Sequence, residues 1–348
     1  MLKEVSILLR IGIVGLGNMG KLHLLNTLHN KDVEVIAAAD KNRGGRKYAE
    51  KYHVKTYDDY TKLIDSEKLD AVIISLPNFL KKDGVFYAAE RKLDIFLDKP
   101  IARNFPEAQA IVQKAKNENV RLMLGVNYRY YPSVQKLKKS LDEGRIGDPV
   151  IATAELVLSG PFSYGVVPVP IPEWWLDKET SGGGALLDLG YHLIDLLTWM
   201  FGDLEVAYSS LEHTLNLPVE DSGTLTLKSK SGKVTCIVNT GWFSRSIFPN
   251  LNFRVNIHGT AGYDSTDLYR PGDLRVNALK EGLRNIFRRV LLKRPLYLTY
   301  TYYYSSFFTI LNLFFDALKH GTELPVSLEK ELEVIRIIDT VYSQHWVK

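Results

Sequence analysis

Strand and helix signals alternate without interruption over residues 10–125, and that order leaves few folds open. The runs IGIVG, VEVIAAAD, DAVIISLP, DIFLDKP and RLMLGVN are apolar and bounded by charged or turn residues, as strands buried on both faces must be. Between them lie the helical patterns KLHLLNTLH, RKYAEKY, DYTKLID, FYAAER and FPEAQAIVQKAKNE. Strands and helices that alternate at this spacing form a parallel, doubly wound sheet.

The first run leads directly into GLGNMG, residues 15–20. A G-x-G-x-x-G turn that ends a strand and opens a helix is a dinucleotide fingerprint. Gly15 permits the tight turn, Gly17 lets the backbone approach a pyrophosphate, and Gly20 allows close helix–strand packing. Asn18 and Met19 open the helix whose terminal N–H groups face the anion. Asp40 ends the second run, where a carboxylate accepts the ribose hydroxyls of NAD and repels the 2′-phosphate of NADP. Lys41 and Arg43 beside it soften that preference, so NADP stays admissible. The bland alternative is a plain glycine turn with Asp40 capping the next helix.

At 348 residues the chain exceeds the usual size of one hydrophobic core. Two domains are expected, residues 1–126 and 127–348, with the last helix free to pack back on the first. The second has α+β texture: the helical VQKLKKSLDEG, then IGDPVIATAELVLSG, a Pro-rich loop GPFSYGVVPVPIPEWW, four strand-like runs and two closing helices. The runs joined by SKSG read as an antiparallel hairpin, so this sheet is largely antiparallel with strands in meander order. Residues 182–195, GGGALLDLGYHLID, place Asp188, His192 and Asp195 on one stripe of an apolar helix. Such a stripe costs free energy unless its groups are hydrogen-bonded or face a polar cavity.

A hydrophobic share of 45% and a charged share of 24% are ordinary for a globular protein. The single cysteine, Cys236, precludes an intrachain disulfide and suits a reducing compartment. No apolar run reaches the roughly 20 residues that cross a bilayer, and MLKEVSILLR fits no signal or transit peptide, so a cytoplasmic protein is expected. The net charge of +4 is unevenly spread: between Arg275 and Arg294 stand seven basic residues and one acid, a local +6, which leaves −2 for the rest. There Leu279, Leu283, Ile286, Phe287 and Val290 recur at helical spacing, with Lys280, Arg284 and Arg288 on the other side. The expected reading is an amphipathic helix packed on the second domain or in a subunit interface. Peripheral membrane contact through residues 278–294, or a surface for lipid-linked or nucleotide-linked sugars, is the sharper one. Nucleic acid is not expected, because no recognised motif accompanies the charge.

Three features coincide: GLGNMG with Asp40, the tripeptide Asp98-Lys99-Pro100 ending a strand, and GGGALLDLGYHLID. With NYRYYP (127–132), WWLDKETSGGG, HGTAG and FFDALKHGTELPVS, they resemble the glucose–fructose oxidoreductase / inositol dehydrogenase family, Gfo/Idh/MocA, along essentially the whole chain. The resemblance implies a Rossmann domain and a second domain on an open, largely antiparallel sheet, with the active site between them and no metal in hydride transfer. It implies that Lys99 is the lysine of a tripeptide that usually reads Glu-Lys-Pro, and that Asp188 and His192 fill the family's aspartate and histidine positions. Pro77, Asn78 and Lys99 then join residues 15–20 and Asp40 around the coenzyme. Where many members read Thr-Pro-Asn-His-x-His, this chain reads LPNFLK (76–81), with Lys81 in place of a histidine. A cation there favours a carboxylate or phosphate on the substrate, unless it only solvates a helix start. Asn127, Arg129, Trp174 and Trp175 are secondary substrate candidates. The tryptophans would offer a flat face to a sugar ring or pack the Pro-rich loop. Asp195 is expected to bond to backbone or an arginine, outside the site. A metal held by Asp188, His192 and His213 lacks a tight ligand cluster.

The expected activity is NAD(P)-dependent hydride transfer to or from a secondary alcohol of a sugar, sugar derivative or cyclic polyol, by a homodimer or homotetramer. Either His192 or Lys99 serves as the proton acceptor. NAD-dependent glycoside cleavage and an NAD-sensing regulator without turnover are the alternatives on the same fold. Retention of an acid–base set argues against the regulator.

Overall fold

The computed structural model describes residues 8–160, 172–243, 252–270, 274–293 and 301–346. Most of the Pro-rich loop, residues 161–171, lies outside them, as does Arg294 of the basic segment. The chain forms two compact units, one of residues 1–101, 109–127 and 276–328, the other of residues 102–108, 128–275 and 329–348. A single boundary at residue 126 is therefore replaced by several crossings.

The first unit contains β1 (Leu9–Val14), α1 (Asn18–His29), β2 (Val33–Ala39), α2 (Arg43–Glu50), β3 (Lys55–Tyr57), α3 (Tyr60–Ser66), β4 (Ala71–Ile74), α4 (Asn78–Glu90) and β5 (Asp94–Leu97). It also takes in most of α5 (Phe105–Glu118) and β6 (Leu122–Leu124). All pairings are parallel, in the order β3-β2-β1-β4-β5-β6. The order reverses between β1 and β4, with Val14 opposite Ile74, and in such sheets ligands bind where the order reverses, beyond the carboxyl ends of the strands. A late helix, α10 (Thr301–His320), also belongs here. Its apolar residues Phe307, Ile310, Leu311, Phe314 and Phe315 recur every three or four positions, so they form one stripe that needs cover. Phe314 meets Phe96 edge-on at 5.6 Å between ring centroids, and Asn30 donates to Asn312 at 2.7 Å.

The second unit contains α6 (Pro132–Asp142), β7 (Pro149–Val157), α7 (Lys178–Ser181), α8 (Tyr191–Phe201), β8 (Leu204–Glu212), β9 (Ser222–Ser229), β10 (Thr235–Gly241), β11 (Asn252–Gly259) and β12 (Tyr263–Ser265). Its sheet runs β12-β11-β7-β10-β9-β8 and is antiparallel except where β7 meets β10. The expected β9–β10 hairpin is present. The meander is broken, because β7 inserts between β10 and β11. Alternate residues explain the burial, as a period of two requires: Ala152, Ala154 and Leu156 of β7 pair with Cys236, Val238 and Phe253 on one buried face. The apolar positions of α8 and most of α11 (Leu328–His345) complete this core. The basic helix α9 (Leu274–Val290) differs from the expectation that it packs on this chain, since its apolar stripe is exposed.

One buried charge cluster ties α8 to α11. The Arg129 guanidinium donates to both carboxylate oxygens of Asp195 and, at 2.9 Å, to Glu331, whose other oxygen accepts from the Tyr191 hydroxyl at 2.9 Å. Burial, with Asp195 adding to it, pushes the Glu331 carboxyl well above the usual carboxylate range, which favours its protonated form. Asp195 is thus the carboxylate that Arg129 engages through both oxygens, and Glu331 the one whose negative charge burial disfavours. Arg129→Met should cost about 3–5 kcal/mol, because it leaves Asp195 buried without its counter-charge. Glu331→Gln, which keeps the shape and removes the charge that burial disfavours, should cost under about 1 kcal/mol. Urea denaturation of the two variants tests the difference.

Candidate active site

The glycine turn is shaped by close approach. Gly15 has φ +89°, and a Cβ on Gly20 would stand 1.9 Å from the Gly15 carbonyl oxygen, so any side chain at Gly20 would push α1 off the turn. Beside Gly17 a Cβ would meet nothing within 4 Å. The unpaired first N–H groups of α1 therefore open onto free space of the kind a pyrophosphate fills. The Asp40 carboxylate accepts from the Leu16 N–H and, at 2.6 Å, from the Asn42 N–H, joining the end of β2 to the turn. The cap of α2 is Asn42, whose side chain accepts from Gly44 at 2.7 Å. That sets aside the reading of Asp40 as a helix cap. Arg46, which the sequence does not single out, donates to the carbonyls of Asp40 and Lys41 at 2.7 and 2.8 Å. Pro77 caps α4 and Asn78 opens it, directly after β4 at the point of order reversal.

The tripeptide after β5 is held from two sides. Asp98, 9% exposed, accepts from Nε2 of His23 at 2.8 Å. Burial pushes its carboxyl up, but the neighbouring His23, Ser75 and Lys81 together outweigh this, and it sits below the usual range. The Lys81 ammonium donates to the carbonyls of Asp98 and Pro100, both at 2.8 Å. It is 2% exposed, and burial lowers its pKa to about 7. Lys81 is therefore reassigned from substrate anion to the main chain on either side of Lys99. Lys99 itself is half-buried and lies in the first unit.

In the second unit the three glycines end on a buried acid. Glu220 accepts from the N–H groups of Gly184 and Leu186 at 2.9 and 3.0 Å and from the Tyr342 hydroxyl at 2.7 Å. A π-helical turn, Leu186–Gly190, follows and carries Asp188, and α8 then opens with Tyr191 and His192. Such wide turns interrupt regular helical spacing and are frequent at functional sites, so the single stripe read from ideal periodicity is broken. Asp195 turns to Arg129 in the core, an arginine partner of the kind expected for it. Asp188, half-buried, accepts from the indole N–H of Trp242 at 3.3 Å. Trp242 stacks with Trp175 at 6.2 Å between centroids and 4° between planes, and Trp174 meets Trp175 edge-on. His192 stacks on Tyr128 at 4.0 Å and 23°.

Two further substrate candidates are corrected. Arg129 is spent on Asp195 and Glu331, and Asn127, fully buried in the first unit, donates to the Ser306 hydroxyl at 2.9 Å. Buried polar groups must be answered inside the fold: the Arg129 guanidinium is, and so is the Asn127 amide N–H, while the Asn127 Oδ1 meets no partner among the described residues. The sequence reading missed Trp242 and Tyr128. Trp242 was legible only as an aromatic at the end of the KVTCIVNTGWF strand, and Tyr128 only as one of three tyrosines in NYRYYP.

A glycine fingerprint, a carboxylate at the end of β2 and a sheet that reverses order between β1 and β4 define an NAD-binding Rossmann oxidoreductase. Residues 9–126 match the oxidoreductase family with the NAD-binding Rossmann fold, and residues 134–263 match the GFO/IDH/MocA C-terminal domain. The chain belongs to the GFO/IDH/MocA family. Myo-inositol 2-dehydrogenase of Thermotoga maritima is 27% identical over 263 residues, 73% of this chain and 74% of that protein. Trans-1,2-dihydrobenzene-1,2-diol dehydrogenase of Mus musculus is 28% identical over 276 residues, 77% of this chain and 78% of that protein. The crystal structure of the WlbA dehydrogenase from Bordetella pertussis, in complex with NADH and UDP-GlcNAcA, shares the fold with a TM-score of 0.79 at 20% identity, covering 97% of this chain and 95% of that one.

Two outcomes follow from this geometry. Unfolded, Lys81 titrates at its ordinary 10.5, and folded at about 7. Between those values the unfolded chain holds the extra proton, so the contribution of Lys81 to stability grows with rising pH and is lost as pH falls toward the folded value. The stability difference between wild type and Lys81→Met should therefore climb by roughly 1 kcal/mol per pH unit above neutrality, and a flat difference in urea titrations would show an ordinary, charged amine. Asp40→Asn removes the charge that repels a 2′-phosphate while Lys41, Arg43 and Arg46 remain. NAD affinity should fall about tenfold, as for a lost hydrogen bond to a charged group, with NADP affinity unchanged or higher when both are titrated by fluorescence.

Proposed function

We propose that the chain transfers hydride between NAD and a secondary alcohol on a ring bearing adjacent hydroxyls: a sugar, sugar derivative or cyclic polyol. The observation that carries this is the sequence of Asp188 on the π-helical turn and His192 at the start of the helix it leads into, with the Trp175–Trp242 stack beside Asp188 and Tyr128 against the imidazole. An acid beside a flat indole surface suits a ring with one apolar face and polar edges. The relatives support the class, since one is named for an inositol and another for a ring diol.

Gly15, Gly17, Gly20 and Asp40, with the N–H groups of Asn18 and Met19 and with Pro77 and Asn78 alongside, hold the coenzyme, and NADP is the weaker ligand. When bound, NAD supplies the hydride acceptor. His192 takes the hydroxyl proton on its imidazole, the side chain whose ordinary pKa lies nearest neutrality. Lys99 donates to the same oxygen and stabilises its developing negative charge. Asp188, oriented by the Trp242 N–H, accepts from the neighbouring hydroxyl and fixes which carbon is presented. Trp175 covers the ring face.

A panel of sugars, uronic acids, cyclic polyols and nucleotide sugars, followed by NADH absorbance, identifies the substrate. On it, His192→Ala should lower kcat about 10²–10⁴-fold, the usual contribution of general acid–base catalysis, with NAD affinity unchanged. Lys99→Ala should be at least as damaging, because its charge matters most in the transition state. Near-wild-type turnover by both variants would overturn the assignment.

A further inference from the structure

Helix α9 lies outside both stretches matched by the family, residues 9–126 and 134–263. Val276, Leu279, Leu283, Ile286, Phe287 and Val290 fall within an arc of about 100° at helical spacing, and each is between 48% and 74% exposed. Leu291 and Leu292 extend the surface, the latter 96% exposed. Single exposed apolar residues are unremarkable on a folded protein, but a contiguous stripe of this size is not left in water without a partner. Lys280 borders the stripe on one side, and Arg284, Arg288 and Arg289 occupy the rest of the circumference. The segment from Arg275 to Arg294 carries a local +6 in a chain whose remainder carries −2.

Charge decides between occupants. A second copy facing the same stripe would bring another +6 against the first. A nucleic acid would answer the charge and leave the stripe wet. An anionic bilayer answers both, because its acyl boundary takes the stripe while its headgroup phosphates pair with lysine and arginine. We propose that α9 is an in-plane anchor that seats this chain on anionic phospholipid bilayers. The helix lies on the surface: no helix among the described residues is long and apolar enough to cross a membrane.

Flotation of the full-length protein with phosphatidylcholine vesicles, with and without phosphatidylglycerol, tests this independently of the substrate. The protein should float with the anionic vesicles alone, and added salt should release it. Lys280→Gln combined with Arg289→Gln should weaken partitioning about fivefold for each basic side chain neutralised. Leu279→Glu combined with Phe287→Glu should abolish flotation while NAD affinity and sedimentation mass stay at wild-type values. Failure to float with anionic vesicles, or equal flotation with neutral ones, overturns the proposal. So does a fall in sedimentation mass in the Leu279→Glu/Phe287→Glu variant, which would make the stripe a contact between copies.

Discussion

A charge taken out of water has to be answered inside the fold, and in this protein the answers are placed beside the residues proposed to carry the chemistry. Asp98 is answered by His23, and the Lys81 ammonium by the carbonyls of Asp98 and Pro100. Lys99, between those carbonyls in sequence, thus projects from a backbone pinned on both sides. In the second unit Glu220 is answered by two backbone N–H groups and a tyrosine hydroxyl at the glycines that precede Asp188. Arg129 is answered by Asp195, three residues beyond His192. Removing one member of such a set leaves an uncompensated group in low dielectric, which costs several kcal/mol. Groups that must stabilise charge in a transition state act best when they need not reorganise, and these sets hold the backbone around Lys99, Asp188 and His192 in place.

The two departures from the family's usual pattern, Asp98 for glutamate and Lys81 for histidine, fall on one bonded pair, since Lys81 donates to the Asp98 carbonyl. A lysine differs from histidine here in reach and in its response to burial. Its ammonium spans to two carbonyl oxygens at once, and desolvation brings its pKa down to about 7. The substitution therefore belongs to the support of Lys99 more than to selection of an anionic substrate, a role that would have required the ammonium to meet solvent.

What was legible in the sequence is what local physics dictates. Strands buried on both faces must be continuously apolar, a tight turn against a helix must be glycine, and the acid that ends β2 must stand near that turn; all three are present in β1, residues 15–20 and Asp40. The misplaced side chains were those whose partners are remote in the chain. Arg129 reaches Glu331 across 202 residues and Asn127 reaches Ser306 across 179, and no window of sequence reports such pairs. A polar residue near a motif looks the same whether it faces a ligand or a buried carboxylate. For the same reason an amphipathic helix such as α10 does not declare which sheet it covers, because its stripe specifies only that it must be covered. Trp242 illustrates the converse: its indole N–H reaches Asp188 only because β10 carries it there.

The packed parts of the chain and the exposed helix α9 obey different physics. Within residues 9–126 and 134–263, side chains are constrained by close packing, where changes of even one methylene are felt. α9 lies beyond that constraint. A helix added in a connection between packed elements costs little in loop closure, since that entropy grows only slowly with length, and it leaves the two cores unaltered. It can therefore acquire a pattern, apolar on one arc and basic around the rest, that no requirement of this chain's own folding explains. An exposed stripe that contributes nothing to the core and invites aggregation persists only where something else covers it. The charge that surrounds it restricts what that covering can be to a surface that is both apolar within and anionic at its face.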